Sequence, residues 1–296
     1  MNKLILGSIA AIALTNAAHA QLSAYTPQRG QLISSFAYEY QRYDRFWVGK
    51  TKIPLELATG FKAQRQHSAF LSLEYGICDD LALDVTIGYS WAEFHRGPVR
   101  DLTDDGLTDT SFGLRYRVVD ERKVAWAPTV TLRVGGVIAG TYNESLVFSA
   151  GDGADAIETS MLLAKQLCPG LGLYGEAGYR WRNNDVPDDF FGAAGIALTY
   201  IKDVTLSVGY RETRGLSGPD IGAPGFGTAF GFPQVREIDQ RLETSLSYTD
   251  HGGRNYAVYF AQTLNGRNTG EKSIIGVSVS IPFGGHEAAV APSYKK

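Results

Sequence analysis

Along most of this chain, apolar and polar residues alternate with a period of two. From Thr108 to Val118, Asp109, Ser111, Gly113, Arg115 and Arg117 alternate with Thr110, Phe112, Leu114, Tyr116 and Val118. A strand sends successive side chains to opposite faces, so this stretch has one apolar face and one polar or charged face. The same pattern recurs at residues 32–40, 67–77, 81–91, 125–134, 156–165, 171–181, 190–200, 204–210, 242–248, 256–264 and 275–283. With the first stretch, that makes about twelve predicted strands, an even number of the kind a closed bacterial barrel needs.

A soluble sandwich would turn the apolar face into a core, and a membrane barrel would turn it toward lipid. The connections favour the barrel. Short ones hold Asp79, Asp120, Pro169, Lys202 and Gly252; long ones hold Trp47, Arg96, Tyr142, Asn184, Pro219 and Asn268. Short turns alternating with long loops are the habit of membrane barrels. Outward aromatics gather near strand ends: Tyr89, Trp91, Tyr179, Trp181 and Tyr210 toward the long loops, and Tyr75, Tyr116, Trp126, Tyr200, Tyr248 and Phe283 toward the short turns. Amphipathic rings favour the headgroup region, so two such girdles are expected of a membrane barrel. The fold expected is an all-β, transmembrane, antiparallel up-and-down β-barrel of about twelve strands.

The start of the chain supplies the address. Lys3, the apolar run from Leu4 to Leu14, and Ala18-His19-Ala20 have the layout of a secretory signal peptide cleaved after Ala20. The expected division is 1–20 signal peptide, 21–283 barrel and 284–296 periplasmic tail, with the mature chain in a Gram-negative-type outer membrane. Lys and Arg number 28 against 31 Asp and Glu, a formal net charge of −3, which argues against a nucleic-acid partner. Gly at 34, Tyr at 16 and a mean hydropathy of −0.13 suit strands of which only half is apolar. Cys78 and Cys168 are the only cysteines, too few for a disulfide framework; a single bridge between them in an oxidising compartment is the alternative to two free thiols, and their turns are expected to lie well apart around the barrel rim.

The inward faces carry the candidate chemistry. Glu74, Asp84, Arg115 and Arg117 fall toward the short-turn end, with Arg133, Glu158, Glu176, Arg180, Arg211, Arg241 and Glu243 above them. These charges either form a selectivity lining with a positive bias or neutralise one another across a narrow lumen. Residues 215–233 form the loop expected to fold inward, with Phe226, Phe230 and Phe232 as an apolar constriction; the alternative is a flexible external loop. His67, His95, His251 and His286 follow no catalytic motif and are read as scattered surface histidines. No metal-ligand spacing or phosphate loop is present, so neither enzyme activity nor a cofactor is expected.

Gly106-Leu107-Thr108-Asp109-Thr110 followed by Gly113-Leu114-Arg115-Tyr116-Arg117 resembles a motif of the outer-membrane transporter family named for the meta pathway of phenol degradation. Glu74-Tyr75-Gly76-Ile77 and Leu81-Ala82-Leu83 are similar to that family as well. The resemblance implies a channel for small molecules, apolar or aromatic compounds among them. The alternative is a structural or surface-interaction barrel closed by its own charges. The partners expected are membrane lipid, the barrel-assembly machinery, whose terminal signal Ile275, Val277, Val279, Ile281 and Phe283 resemble, and a small-molecule solute.

Overall fold

The computed structural model describes residues 23–95, 102–146, 149–229 and 231–284. In chain order the strands are β1 (Leu32–Tyr43), β2 (Arg45–Val48), β3 (Thr51–Pro54), β4 (Ala63–Cys78), β5 (Leu81–His95), β6 (Leu102–Leu107), β7 (Thr110–Val119) and β8 (Thr129–Ile138). They continue as β9 (Ala156–Cys168), β10 (Leu171–Arg182), β11 (Asp189–Ile201), β12 (Val204–Gly215), β13 (Ile238–Thr249), β14 (Asn255–Arg267) and β15 (Ser273–Phe283). Each neighbouring pair is antiparallel, and β1 pairs with both β15 and β4, so the sheet closes on itself. β6 and β7 together form one stave against β5. The result is a closed barrel of twelve staves, and closure removes the two free edges that an open sheet would have.

The alternation now has physical addresses. On β5, Leu83 is 45% exposed and its neighbour Asp84 5%. Phe36, Leu71, Ile87, Phe112, Leu114, Val134, Ile196, Val258 and Val277 likewise stand on the outer wall. An apolar belt this continuous is the surface a bilayer covers.

Inside, a segment running from Ser23 to Gln31 lies against the wall at the short-turn end. Ala24 is buried against Leu162 and Ala164, and Thr131 Oγ1 donates to the Ala24 carbonyl at 2.5 Å. Arg115 Nη1 reaches the Ser23 carbonyl at 3.0 Å, and Gly30 N donates to Gly76 O at 2.8 Å. This strap passes so close to β4 that a Cβ at Gly76 would sit 2.1 Å from the Gln28 carbonyl oxygen. A residue without a side chain is therefore required there.

Four expectations change. The strand foreseen at 125–134 begins only at Thr129, because Pro128 has no N–H to give a ladder and Asp120 organises a turn by accepting from the Arg122 amide at 2.9 Å. Trp126 stands on that turn, 86% exposed, and not on a strand. The long connection expected around Arg96 is shorter than the alternation suggests, since β5 runs to His95 and β6 begins at Leu102. The strand across Asp109 is interrupted: Thr108 and Asp109 bulge between β6 and β7, and the outward set shifts from Leu107 to Thr110.

The polar connection after β1 is instead the β2–β3 hairpin followed by a short helix, α1 (Leu55–Thr59). Phe46, Leu55 and Phe94 are buried there with Tyr43 and Ala92. Connections at one end hold two residues after β4, β9 and β11, but nine after β7. The beat of short and long is therefore real but uneven.

Replacing outward, mid-strand Leu71 or Ile196 with Arg should destabilise folding into lipid vesicles by about 2–4 kcal/mol. Inward Thr86→Arg should cost clearly less. Denaturant titration of vesicle-folded protein measures this, and equal losses at all three sites would contradict the wall assignment.

Candidate functional site: the charged lumen

Inward positions on successive staves bring opposite charges together. On the β4 to β11 side, one chain of ion pairs runs across the wall. Arg115 holds Glu74 in a short charge-assisted contact and lies 3.5 Å from Asp84. Arg133 holds Asp84 at 2.9 Å and Glu158 at 2.8 Å; Arg180 holds Glu158 at 2.6 Å and approaches Asp189 at 3.5 Å. Arg182 pairs with Asp189 and, at 2.5 Å, with Asp152. Charges this far from water need such partners. A second group joins Arg211 to Glu243 at 3.0 Å and Glu176 at 3.8 Å. A third joins Arg241 to Asp239 at 3.2 Å, with Lys272 at 3.6 Å from both Glu237 and Asp239.

Six of the eleven lumen candidates, Glu74, Asp84, Arg115, Arg133, Glu158 and Arg180, thus belong to the first chain. Glu176, Arg211 and Glu243 form the second group, and Arg241 the third. Arg117 stands apart at the short-turn end, 2.7 Å from Asp80 and 3.6 Å from Asp120. The hydrogen bond from Arg117 holds the Asp80 carboxyl below its ordinary range. Burial opposes ionisation of Asp120, but hydrogen bonds from Arg122 and the charge of Arg117 hold it at about 2.

Sequence reading missed Asp152, Arg182, Asp189, Glu237, Asp239 and Lys272. Arg182 and Asp239 do continue the inward alternation of Arg180 and Arg241, which was the available signal. Asp152, Glu237 and Lys272 lie in connections, where period two says nothing.

A cavity of about 280 Å³ lies above the ion-pair chain, toward the long loops. Its wall is polar, with Gln41, Gln64, Gln66, Ser68, Thr86 and Ser111 among the charges. A further recess of about 520 Å³, lined by Phe226, Phe232, Glu144, Asp152 and Asn184, shares Glu144, Asp152, Phe232 and Pro233 with it. Phe226 and Phe232 meet edge to face, 5.2 Å between ring centroids, at this outer recess. Phe230 falls outside the described residues. The first loop, rather than these rings, carries the larger apolar cluster at this end.

Asn268 ties the loops together. Its Oδ1 accepts from Gly49 N at 2.8 Å and Ile221 N at 3.1 Å, and its Nδ2 donates to Asp220 Oδ1 at 3.0 Å and Arg236 O at 2.8 Å. Arg267 grips Asp220 at 2.6 and 2.8 Å. One buried side amide thereby joins the β2–β3 hairpin to the 216–237 loop over the cavity. Cys78 and Cys168 are free and exposed, the last residues of β4 and β9.

No family model matches the sequence, and no curated protein matches it significantly. Among solved structures, the barrel is similar to an outer membrane channel from Pseudomonas putida F1, with a TM-score of 0.67 at 12% identity, covering 88% of this chain and 98% of that one. Looser likenesses are to the KdgM porin, with a TM-score of 0.46 at 12% identity over 84% of this chain and 99% of that one. Another is to the translocator domain of the autotransporter NalP from Neisseria meningitidis, at 0.46 and 10% over 88% and 90%. At these identities the likeness establishes the barrel fold. The meta-pathway resemblance rests on the residues that carry it, chiefly 106–117.

Asn268→Ala should free the hairpin, raising amide hydrogen exchange across residues 45–54, for a loss of about 1–3 kcal/mol as buried polar groups lose their partners. Asp220 gives the same latch a pH dependence, because the hydrogen bond from Arg267 lowers its pKa. A depressed carboxylate stabilises the fold above its ordinary pKa and loses that contribution as pH falls through the lowered value. Protection of the hairpin should therefore hold from neutral pH down to the ordinary carboxylate range and weaken below it. Unchanged exchange in the variant and across this acid range would contradict the latch.

Proposed function

We propose that this protein is a passive channel of a Gram-negative-type outer membrane that admits small molecules, exported through its signal peptide and inserted by the barrel-assembly machinery. The outward face of β15, ending at Phe283, supports the last step. Non-enzymatic passage suits a lumen whose charges are spent on one another.

The observation that carries the reading is a charge-lined cavity inside a lipid-facing wall, continuous in its lining with a recess at the loop end. Its composition bears on the solute. Six carboxylates line it (Glu39, Asp109, Glu144, Asp152, Glu237 and Asp239) against four cations (Arg180, Arg182, Arg241 and Lys272). The positive bias expected from the arginines alone gives way to two more carboxylates than cations, 6 − 4, because Glu39, Asp109 and Glu144 add to the carboxylates that pair with Arg182, Arg241 and Lys272. Fixed charge in a narrow pore selects for counter-ions. The lining thus favours small polar solutes, cationic or zwitterionic, over the apolar or aromatic compounds that the family resemblance suggests; Phe226 and Phe232 offer those compounds a surface only in the outer recess.

A second reading has its own observation. The Arg115 side chain is fully buried and donates to the Ser23 carbonyl of the strap at the short-turn end, the kind of contact that a barrel closed by its own charges would use. Planar-bilayer recording decides between them. The wild type should conduct and, in a salt gradient, reverse at a potential favouring K⁺ over Cl⁻. Glu144→Gln with Asp152→Asn should lower that permeability ratio several-fold, since the second change also leaves Arg182 with Asp189 as its one remaining carboxylate partner among the described residues. Anion preference in the wild type would overturn the selectivity, and silent bilayers with folded protein would leave the closed barrel.

A further inference from the structure

The outer wall carries one sector that the lumen does not explain. Strand register sets its rows. Arg42 on β1 lies directly opposite Arg65 on β4, which lies opposite Glu93 on β5. The row below is Tyr40, His67 and Trp91, and farther toward mid-strand comes Phe36, Leu71 and Ile87. Like charges directly opposed across a ladder repel, and here one carboxylate answers two guanidiniums. Glu93 takes Arg65 at 3.3 Å. Arg42 is exposed, and among the described residues no hydrogen bond or ion pair reaches it.

Beneath the arginines stands a fixed aromatic shelf. Tyr38 Oη lies 2.6 Å from His67 Nδ1. The His67 ring stacks on Trp91, 5.1 Å between centroids and 8° from parallel, and Tyr40 packs at 5.0 Å. With Nδ1 engaged, Nε2 is the ring nitrogen left for a ligand. By contrast, the outward Arg214 on β12 is answered by Glu212 at 2.5 Å. The β1–β4–β5 sector therefore combines unanswered positive charge at headgroup level, rings at the interface and apolar wall below. Its ligand must repeat that order: an anion, a polar junction, then acyl chains.

Given the outer-membrane reading, with long loops outward, this sector faces the outer leaflet. We propose that it is a binding site for the phosphorylated glycolipid of that leaflet, lipopolysaccharide, with a lipid A phosphate held between Arg42 and Arg65 and acyl chains laid over Trp91, Phe36, Leu71 and Ile87. Guanidiniums suit this role because their forked donors meet phosphate in two parallel bonds.

The test uses purified, folded full-length barrel in detergent, with thermal unfolding followed by the gel shift between folded and unfolded forms. Lipid A should raise the midpoint; dephosphorylated lipid A, phosphatidylglycerol and inorganic phosphate should raise it clearly less. Arg42→Gln with Arg65→Gln should weaken lipid A binding at least about tenfold, the loss of about one charge-assisted contact, whereas Arg214→Gln should leave it unchanged. If the double variant folds poorly, Arg42→Gln alone serves, since that exposed side chain supports nothing else. Equal stabilisation by dephosphorylated lipid or phosphatidylglycerol, or full stabilisation of the variants by lipid A, would overturn the site. Stabilisation by inorganic phosphate alone would reduce it to an anion site and overturn the lipid assignment. The readout is independent of conductance, so a silent channel would leave it standing, and failure here would leave the channel reading untouched.

Discussion

Arg133 shows what the rest of the barrel must accommodate. Its guanidinium holds Asp84 through Nε and Nη2 and Glu158 through Nη1, nearly out of reach of water. Desolvating such charges is costly, and mutual attraction recovers that cost only if the geometry is close to ideal. The backbone makes room for it. A Cβ at Gly113 would lie 2.7 Å from Arg133 Nε, and one at Gly135 would lie 3.0 Å from Nη1. The Gly113-Leu114-Arg115 and Arg133-Val134-Gly135 alternations are thus steric statements as well as hydropathic ones. Their outward members face lipid, and their inward members trade side-chain volume for a guanidinium.

The same alternation accounts for both solvents the wall meets. Every second residue faces hydrocarbon, which forbids exposed backbone edges and enforces closure. The intervening residues face a lumen too narrow to hydrate isolated charges, which enforces pairing across neighbouring staves. Above the pairs, polar side chains leave a cavity, and the loops joined at Asn268 roof it. On the proposed reading, function is confined to what this arrangement leaves open: a passage whose surplus carboxylates set the sign of its field, and an outer wall whose girdle carries its own chemistry.

Much of this was legible in the sequence because the strand period is rigid. The stave count, the outward belt and the inward placement of Arg115, Arg133 and Glu158 all follow from counting in twos. The failures share a cause as well. At Pro128 a missing N–H outweighed alternation, and at Thr108 and Asp109 a bulge changed the phase; neither leaves a trace in hydropathy. Phe46 and Leu55 looked like loop residues because their partners are remote. Phe46 bridges to Gly270, and the cluster around Leu55 gathers Ile221 and Leu146 from other loops. Asp152 and Glu237 on the cavity wall escaped notice for a related reason, since they sit where no period operates.

The account stands on Arg133 and Glu158 being coupled rather than merely adjacent. A double-mutant cycle with Arg133→Met and Glu158→Gln, read as folding free energy in lipid vesicles, tests this directly. Each single change should cost up to about 3–5 kcal/mol, because it takes a partner from a buried charge. The double variant should cost less than the sum by at least about 1 kcal/mol. Additivity within about 0.5 kcal/mol would mean that the two charges are independent and that the lumen is held together by something else.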